Sequence, residues 1–538
     1  MLDMRIKNVS IVDGSGDPAV IGCVGIRDGK LVTGKKAEQD EAKKELDASG
    51  LTLCPGFIDS HSHSDRYIGR DPEVITLCKL SQGITTQVSG QCGSSLFPVP
   101  QDQEERMREY LEEDSGEEPP AELDEFRNFE TYLAYVGRQT LPVNYAFLVG
   151  HSSLRMAAMG YENRPATPEE MEKMKAALCE AMEHGCFGMS SGLIYVPGVY
   201  APTEELIELC RVMKPYGGIY ATHMRSESDH VVDGVREAIH IAEAAGVPLF
   251  ISHHKVCGVR NWGASEETLR LVHEAIERGV KITMDLYPYT ASQTGLCQCM
   301  PPKYFTEGPA EASKLLRDPE MRRTIQREMT EVPCSYNSSY QNANGFDGIL
   351  ILACPKTPEA EGMTLREWAV KCGKDEFEAY FDLMEENECA GSGAFFCMSE
   401  DEVERIYMDP NTVIGTDGLV SRSTGPTHPR AYGSLVRPLC RFALEKGMLT
   451  FEQAVRKETD LTARRWGLNR KGRIADGYDA DLVLLSKAEL EDRADFLHPR
   501  QLCAGIRTVW VNGEIAYQDG KICDCTSGRA LVHSPGVF

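Results

Sequence analysis

His61 and His63 stand one residue apart in the stretch GFIDSHSHSD, behind the short apolar run Pro55-Gly56-Phe57-Ile58. Such a run reads as a buried strand, and side chains alternate along a strand, so both imidazoles leave on the same side. Neutral imidazole is a ligand for zinc, iron or nickel, and two of them at a strand end make a ready ligand pair. Taken alone, the pair fits two polar loop residues equally well. Further candidates follow other apolar runs: Cys92 in SGQCGSS, His223 in YATHMR, His253 and His254 in FISHHK, and Asp417 in IGTDG. The chain holds only 13 histidines, so four or five of them at the ends of such runs is not the pattern of incidental placement. A thiol, several imidazoles and a carboxylate gathered in one place would hold a metal ion with a base beside it. Cys92 by itself also fits a buried thiol, and Asp417 an Asp-Gly turn.

Something must bring these run ends together. Eight strand-like runs follow in order: PGFIDSHSH, GITTQVSGQCG, VNYAFLVGH, GCFGMSSGL, GIYATHMR, VPLFISHHK, KITMDLYPY and NTVIGTDG. Helical patterns such as TPEEMEKMKAALCEAMEHG and DHVVDGVREAIHIAEAAG lie between many of them, the first opening on Thr167 with Glu169 and Glu170 in its first turn. Strands alternating with helices predict an α/β fold, a (β/α)8 barrel of the TIM kind, in which function sits at the C-terminal strand ends. The gap between the seventh and eighth runs, within about 296–409, breaks the rhythm and reads as an insertion with helices at EASKLLRDPEMRRTIQREM and TLREWAVKCGK. Both ends of the chain are β-rich: RIKNVSIVDGSG and VGIRDGKLV at one, DADLVLLS and GIRTVWVNGEIAYQDGKI at the other, with Asn512-Gly513 as a hairpin turn. The expected organisation joins residues 1–54 and 471–538 in one small β-sandwich domain, with the barrel spanning 55–470.

Composition narrows the function classes. Apolar residues make up 42% and charged residues 26%, the balance of an ordinary globular chain rather than a disordered one. A net charge of −25 and a pI near 5.0 argue against nucleic acid or an anionic membrane as a partner. No apolar run approaches the roughly 18 residues of a membrane span. The N-terminal MLDMRIKNVSIVDGSG lacks the charged-then-apolar layout of a secretory signal. With 19 cysteines, an odd number without framework spacing, the thiols are expected to be reduced and the location cytoplasmic. The pair Cys523 and Cys525 is too isolated to form a metal site.

The layout resembles the amidohydrolase superfamily: HxH after the first strand, a single histidine after the fifth and after the sixth, and an aspartate after the eighth. Within it the chain is most similar to the D-aminoacylases (N-acyl-D-amino-acid deacylases). GFIDSHSHSD, GITTQVSGQCGSS, VGHSSLR, GMSSGLIYVPGVYAPTEEL, ATHMRSE, ISHHK, DLYPYTA, GTDG and HPRAYGS match in order across about four hundred residues. MRIKNVSIVDGSG, GRIADGYDADLVLL and VWVNGE match the family's small β-domain.

The resemblance implies zinc. Cys92, His223 and His253 would hold one tight ion, Cys92 standing where many relatives carry a carboxylated lysine, and His61 and His63 would offer a second, weaker position. The fourth run, GCFGMSSGL, has no lysine, in keeping with that substitution. Zinc accepts a mixed sulfur–nitrogen set and leaves a position open. His254 competes with His253, and the family's ISH favours His253. Asp417 is implied as base toward the attacking water and then as acid toward the leaving nitrogen, because an amine leaves poorly unless protonated. Lys255, Arg430, Tyr195 and Tyr287 are implied as donors to the free carboxylate of an N-acyl amino acid, arginine as a fork and lysine as a point charge; each also fits a structural contact. One departure follows HPRAYG, where Ser434-Leu435-Val436-Arg437 replaces a Phe-Pro-Arg segment, so side-chain preference does not carry over. The expected activity is zinc-dependent hydrolysis of N-acyl-D-amino acids, the D-configuration resting on the resemblance alone. One alternative is a cyclic-amide hydrolase of the hydantoinase or dihydroorotase kind, which commonly uses the bridging lysine missing here. The other is a non-catalytic barrel serving binding or assembly, against which the set Cys92, His223, His253 and Asp417 speaks.

Overall fold

A computed structural model describes residues 1–70, 72–115, 119–419 and 425–533. All eight apolar runs form strands: β1 (Phe57–Asp59), β2 (Ile84–Ser89), β3 (Asn144–Phe147), β4 (Gly188–Gly192), β5 (Ile219–His223), β6 (Leu249–Ile251), β7 (Ile282–Leu286) and β8 (Thr412–Ile414). Every residue in them is buried, which is why they read as apolar runs rather than as alternation. They pair in parallel and in chain order as two sheets. β1, β2 and β3 form the first. The second starts from Val149–Gly150, directly beyond β3, and runs through β4 to β8. Backbone bonds also lead from β8 back to the end of β1: Ser60 N donates to Ile414 O (3.2 Å) and Asp417 N to His61 O (2.8 Å).

Helices alternate with the strands. Thr167 caps the helix Pro168–Glu183, accepting from Glu170 N while the Glu170 carboxylate accepts from Thr167 N (2.8 Å). Between β7 and β8 the chain builds a body with its own apolar cluster, which includes Phe305, Ile325, Trp368 and Tyr380. Its helix Leu365–Cys372 is as expected, but the other expected helix is two, Pro309–Leu315 and Pro319–Thr330. Pro319 cannot continue a helix and instead starts one behind its cap, Asp318. The body also holds a three-stranded antiparallel sheet of Ala291–Gly295, Ile349–Ala353 and Ser392–Phe396, beginning ahead of residue 296.

The two termini share one nine-stranded sheet. Thr52–Pro55 lies between Met4–Ile11 and Leu482–Leu485, and the sheet continues through Ile506–Val511 and Glu514–Gln518. Asn512 and Gly513 both take positive φ (47° and 93°), as the tight turn of a two-residue hairpin requires. Asp481 fastens this sheet to the N-terminal ends of the parallel strands. Its carbonyl accepts from Gly56 N (2.8 Å), and its carboxylate accepts from Asn144 Nδ2 (3.3 Å) and Lys471 Nζ (2.6 Å). All 19 cysteines are free thiols. No helix among the described residues is long and apolar enough to cross a membrane.

Glu458 ends the helix Phe451–Glu458 fully buried, and neither of its carboxylate oxygens has a hydrogen-bond partner. Burial pushes its carboxyl well above the usual range, so it is protonated in the folded state at neutral pH. In the unfolded chain the group ionises near pH ~4.3. The folded value lies above the unfolded one, so its contribution to stability is complete below about pH 4.3 and is lost as pH rises toward the folded value. Glu458→Gln abolishes this proton uptake. It is expected to stabilise the protein by about 1–3 kcal/mol at pH 8 and far less at pH 4, read from urea unfolding. An equal shift at both pH values would show that ionisation plays no part.

Candidate metal centre and substrate cleft

The candidate donors stand at the strand ends. Cys92 follows β2, His223 closes β5, His253 lies two residues beyond β6 and Asp417 three beyond β8. Cys92, His253 and Asp417 all take positive φ (53°, 35° and 46°). A non-glycine residue adopts that region at a cost of about 1–3 kcal/mol, and such strain persists where the surroundings over-determine it, mostly at functional sites.

The Cys92 thiol is the hub. Its Sγ lies 3.3 Å from His253 Nε2, 3.4 Å from His61 Nε2 and 3.9 Å from His223 Nδ1. His63 Nε2 is 3.1 Å and His61 Nε2 3.5 Å from Asp417 Oδ1. Two donor groups result, each with its ligand atoms within 4.8 Å of one another: His61, His63, Cys92 and Asp417, and Cys92, His223 and His253. Burial pushes the Cys92 thiol well up, with the charge of Asp417 adding to it. Burial pushes His253 well down, helped by Lys255 and His223. Burial lowers His223 as well, so Cys92 is a protonated thiol beside the neutral imidazoles of His223 and His253, a set that a cation would turn into thiolate and nitrogen ligands of the kind zinc takes. His254 turns elsewhere. Its Nε2 meets Thr268 Oγ1 at 2.9 Å, and burial pushes it down to about 4.

Behind the donors lie orienting groups that the sequence reading did not single out. Glu227 is buried, with Oε2 3.3 Å from His223 Nε2 and Oε1 3.0 Å from His253 Nδ1. Lys255 Nζ donates to the same Oε1 (2.7 Å) and stands 2.6 Å from His253 Nδ1. That nitrogen either accepts from Lys255 or donates to Glu227, and only the second leaves the Nε2 lone pair facing Cys92. Glu227 faces both imidazoles as ion-pair contacts that fall short of hydrogen-bond geometry, and His223 Nε2 has no hydrogen-bond partner among the described residues; a carboxylate so placed is the kind that backs ligating histidines. Burial works against its charge, but His223, Lys255 and His253 outweigh it and hold the carboxyl well below its usual range. At the other side, the fully buried Lys79 donates to Asp59 (2.6 Å), Ser62 (3.1 Å) and Thr416 (3.1 Å). Asp59 also accepts from Thr416 N (2.7 Å), so one buried ion pair ties the HxH turn to the turn carrying Asp417. The available signal for Glu227 was its place four residues past His223 in ATHMRSE. Lys79 offered none, because it sits in the helix Pro72–Leu80, just ahead of the GITTQVSGQCGSS segment but outside it.

A cleft of about 390 Å³ opens over these groups, lined by Tyr195, His223, His253, Lys255, Tyr287, Asp417 and Arg430 among others. Arg430 Nη1 lies 2.7 Å from Asp417 Oδ2, an ion pair whose angle falls short of a hydrogen bond. Burial pushes Asp417 up, but Arg430, His253, His63 and His61 hold it well below the carboxylate range, so it is ionised. The Arg430 guanidinium lies 4.6 Å from the centre of the Tyr287 ring, Lys255 Nζ lies 5.6 Å from it, and the Tyr287 hydroxyl has no hydrogen-bond partner among the described residues. The Tyr195 ring packs edge-on to His223 at 5.0 Å. All four residues expected to bind a carboxylate therefore border one cleft. The departure after HPRAYG does not reach it: Ser434, Leu435 and Val436 are fully buried, and Arg437 pairs with Asp492 (3.0 Å).

A family model described as the amidohydrolase family matches residues 44–327 and 408–517, omitting much of the body between β7 and β8. The chain is 36% identical to a D-aminoacylase of Alcaligenes xylosoxydans xylosoxydans, over 99% of this chain and 98% of that one. It is 35% identical to an N-acyl-D-aspartate deacylase of the same organism, over 96% and 92% of the two chains. It is also similar to the crystal structure of an N-acyl-D-glutamate deacylase from Bordetella bronchiseptica, complexed with zinc and a phosphonate inhibitor that mimics the reaction's tetrahedral intermediate. That likeness has a TM-score of 0.82 at 32% identity and covers 99% of each chain.

Proposed function

Because the chain belongs to the amidohydrolase family, we propose that it is a metal-dependent deacylase, cleaving the linear amide of N-acyl-D-amino acids to a carboxylate and a free D-amino acid. The observation that carries this reading is one cleft lined by His223, His253, the ionised Asp417 and the cations Lys255 and Arg430, with the Cys92 thiol against its two histidines. Cys92, His223 and His253 would hold one tight zinc ion, with His61 and His63 forming a weaker second position around the shared thiol. When bound, such an ion polarises a scissile carbonyl and makes water acidic enough to lose a proton near neutral pH. Asp417 takes the proton of the attacking water and later delivers it to the leaving nitrogen. Lys255, Arg430 and the Tyr287 hydroxyl receive the substrate's α-carboxylate, and Tyr195 closes the cleft over His223. Glu227 and Asp417 pair with these two cations before substrate arrives, so neither charge is buried alone.

The same reading takes the eight parallel strands as one closed (β/α)8 barrel spanning 55–470, supported by the bonds from β8 to β1. Residues 1–54 and 471–538 supply the small β-sandwich domain on this reading, the last five lying outside the described residues, and the insertion of about 296–409 is entered through the strand Ala291–Gly295. The net charge of −25 and the free thiols support a cytoplasmic enzyme of small molecules rather than a partner of nucleic acid or membrane.

The test is metal analysis followed by amine release from paired N-acetyl-D- and N-acetyl-L-amino acids, with hydantoin and dihydroorotate alongside. Bound zinc and release from the D-series is the expected result. Turnover of the cyclic amides alone would move the activity to that class, and a protein without metal or turnover would restore the non-catalytic reading.

A further inference from the structure

The cleft is completed by side chains of the insertion and of the strand that leads into it: Gln293, Asn337, Ser339, Asn342 and Phe395. Ser339 and Asn342 are each 6% exposed, and the side chains of Gln293, Ser339 and Asn342 make no hydrogen bond among the described residues. Gln293 is half-buried, and amides and hydroxyls that border a cleft without protein partners are open to a polar ligand or water. Asn337 is fixed through Oδ1, which accepts from Glu227 N (3.1 Å) and Ser228 Oγ (2.9 Å), and its amide nitrogen makes no hydrogen bond among the described residues. Among the described residues lining the cleft, the permanent cations are Lys255 and Arg430. Both are already matched by Glu227 and Asp417. Both are also committed to the α-carboxylate.

We infer that the side-chain subsite takes an uncharged, hydrogen-bonding side chain, an amide or hydroxyl of the D-glutamine, D-asparagine or D-serine kind, with Phe395 packing against its methylenes. This rests on the deacylase reading above. An acidic side chain would bring a second carboxylate out of water with no third cation among the described residues lining the cleft and with Glu227 and Asp417 nearby, which is costly. An aliphatic side chain would strip water from the amides without replacing their hydrogen bonds.

The experiment compares kcat/KM of the zinc-loaded protein for N-acetyl-D-glutamine and N-acetyl-D-asparagine with the acidic analogues and with N-acetyl-D-leucine. N-acetyl-D-alanine, which asks little of the subsite, serves as control. The amides are expected to exceed the acids by about 100-fold and leucine by about 10-fold. Asn342→Lys supplies the missing cation and is expected to narrow the glutamine-to-glutamate gap by about 10-fold. Acids turned over as well as their amides, or leucine turned over best, would overturn the inference, and the wild-type panel decides this even if Asn342→Lys does not fold. Failure of N-acetyl-D-alanine along with the rest would instead bring down the deacylase reading, and the inference with it.

Discussion

Asp417→Asn is expected to lower kcat by about 1,000-fold while zinc remains bound and the fold is kept. Asparagine has the same shape and is one of the few residues that tolerates the +46° φ of this position. Its amide oxygen can still face His63, which lies 3.1 Å from Asp417 Oδ1. What it cannot do is take up a proton and return it, so both proton transfers are lost together. KM should change little, because Lys255, Arg430 and Tyr287, proposed to receive the α-carboxylate, remain. Metal analysis gives the variant its meaning. A rate loss accompanied by loss of the tight ion would make Asp417 a ligand rather than a base, and near wild-type rates would remove it from the mechanism.

Cys92→Ala should abolish tight metal binding. Cys92 is the one residue that belongs to both donor groups, so its loss takes a ligand from each position at once. His63→Ala is the contrast, since it touches only the group that also contains His61 and Asp417. The expected result for Cys92→Ala is zinc affinity weakened by more than about 100-fold, against a smaller change for His63→Ala. A second readout is thermal: zinc should raise the Tm of wild type and of His63→Ala, and leave Cys92→Ala unmoved. Alanine is strained at the +53° φ of this position, whereas glycine is not, so Cys92→Gly keeps the test open if the alanine variant folds poorly. Unchanged zinc per chain in both variants would end the role assigned to Cys92.

The strand ends were legible because burial on both faces leaves an unbroken apolar run, and polar residues such as His223 and Asp417 then stand out where each run stops. The insertion's sheet was not, because Ala291–Gly295 pairs with Ser392–Phe396 nearly a hundred residues on, and short strands carry no periodicity that announces a distant partner. Helix caps such as Thr167 are local and were read; the break at Asp318-Pro319 is equally local, and its proline sits within the expected helix. The orienting carboxylate Glu227 and the buried pair Lys79–Asp59 were hidden for a different reason. Their meaning lies in what they touch, and a charged residue in a helix or loop reads as a solvated one until the fold shows it buried. The choice between His253 and His254 was likewise open in the sequence. It turns on backbone conformation, with His253 at φ +35° facing Cys92 and its neighbour facing Thr268.

The pairing of Thr52–Pro55 with Leu482–Leu485 sets a timetable for making the protein. Thr52–Pro55 runs directly into β1 and the HxH turn, yet one of its lateral partners is synthesised more than four hundred residues later. At about 5–20 residues per second, the edge beside the first metal-binding turn stays open for roughly 20–90 s on the ribosome. Contacts of such long sequence separation form late, because loop closure must precede them. The site residues emerge in order as well: the donors Cys92, His223 and His253 come well before Asp417, the proposed base. A nascent chain halted before Leu482 would carry Cys92, His223, His253 and Asp417 without the strand that pairs with Thr52–Pro55 ahead of the HxH turn.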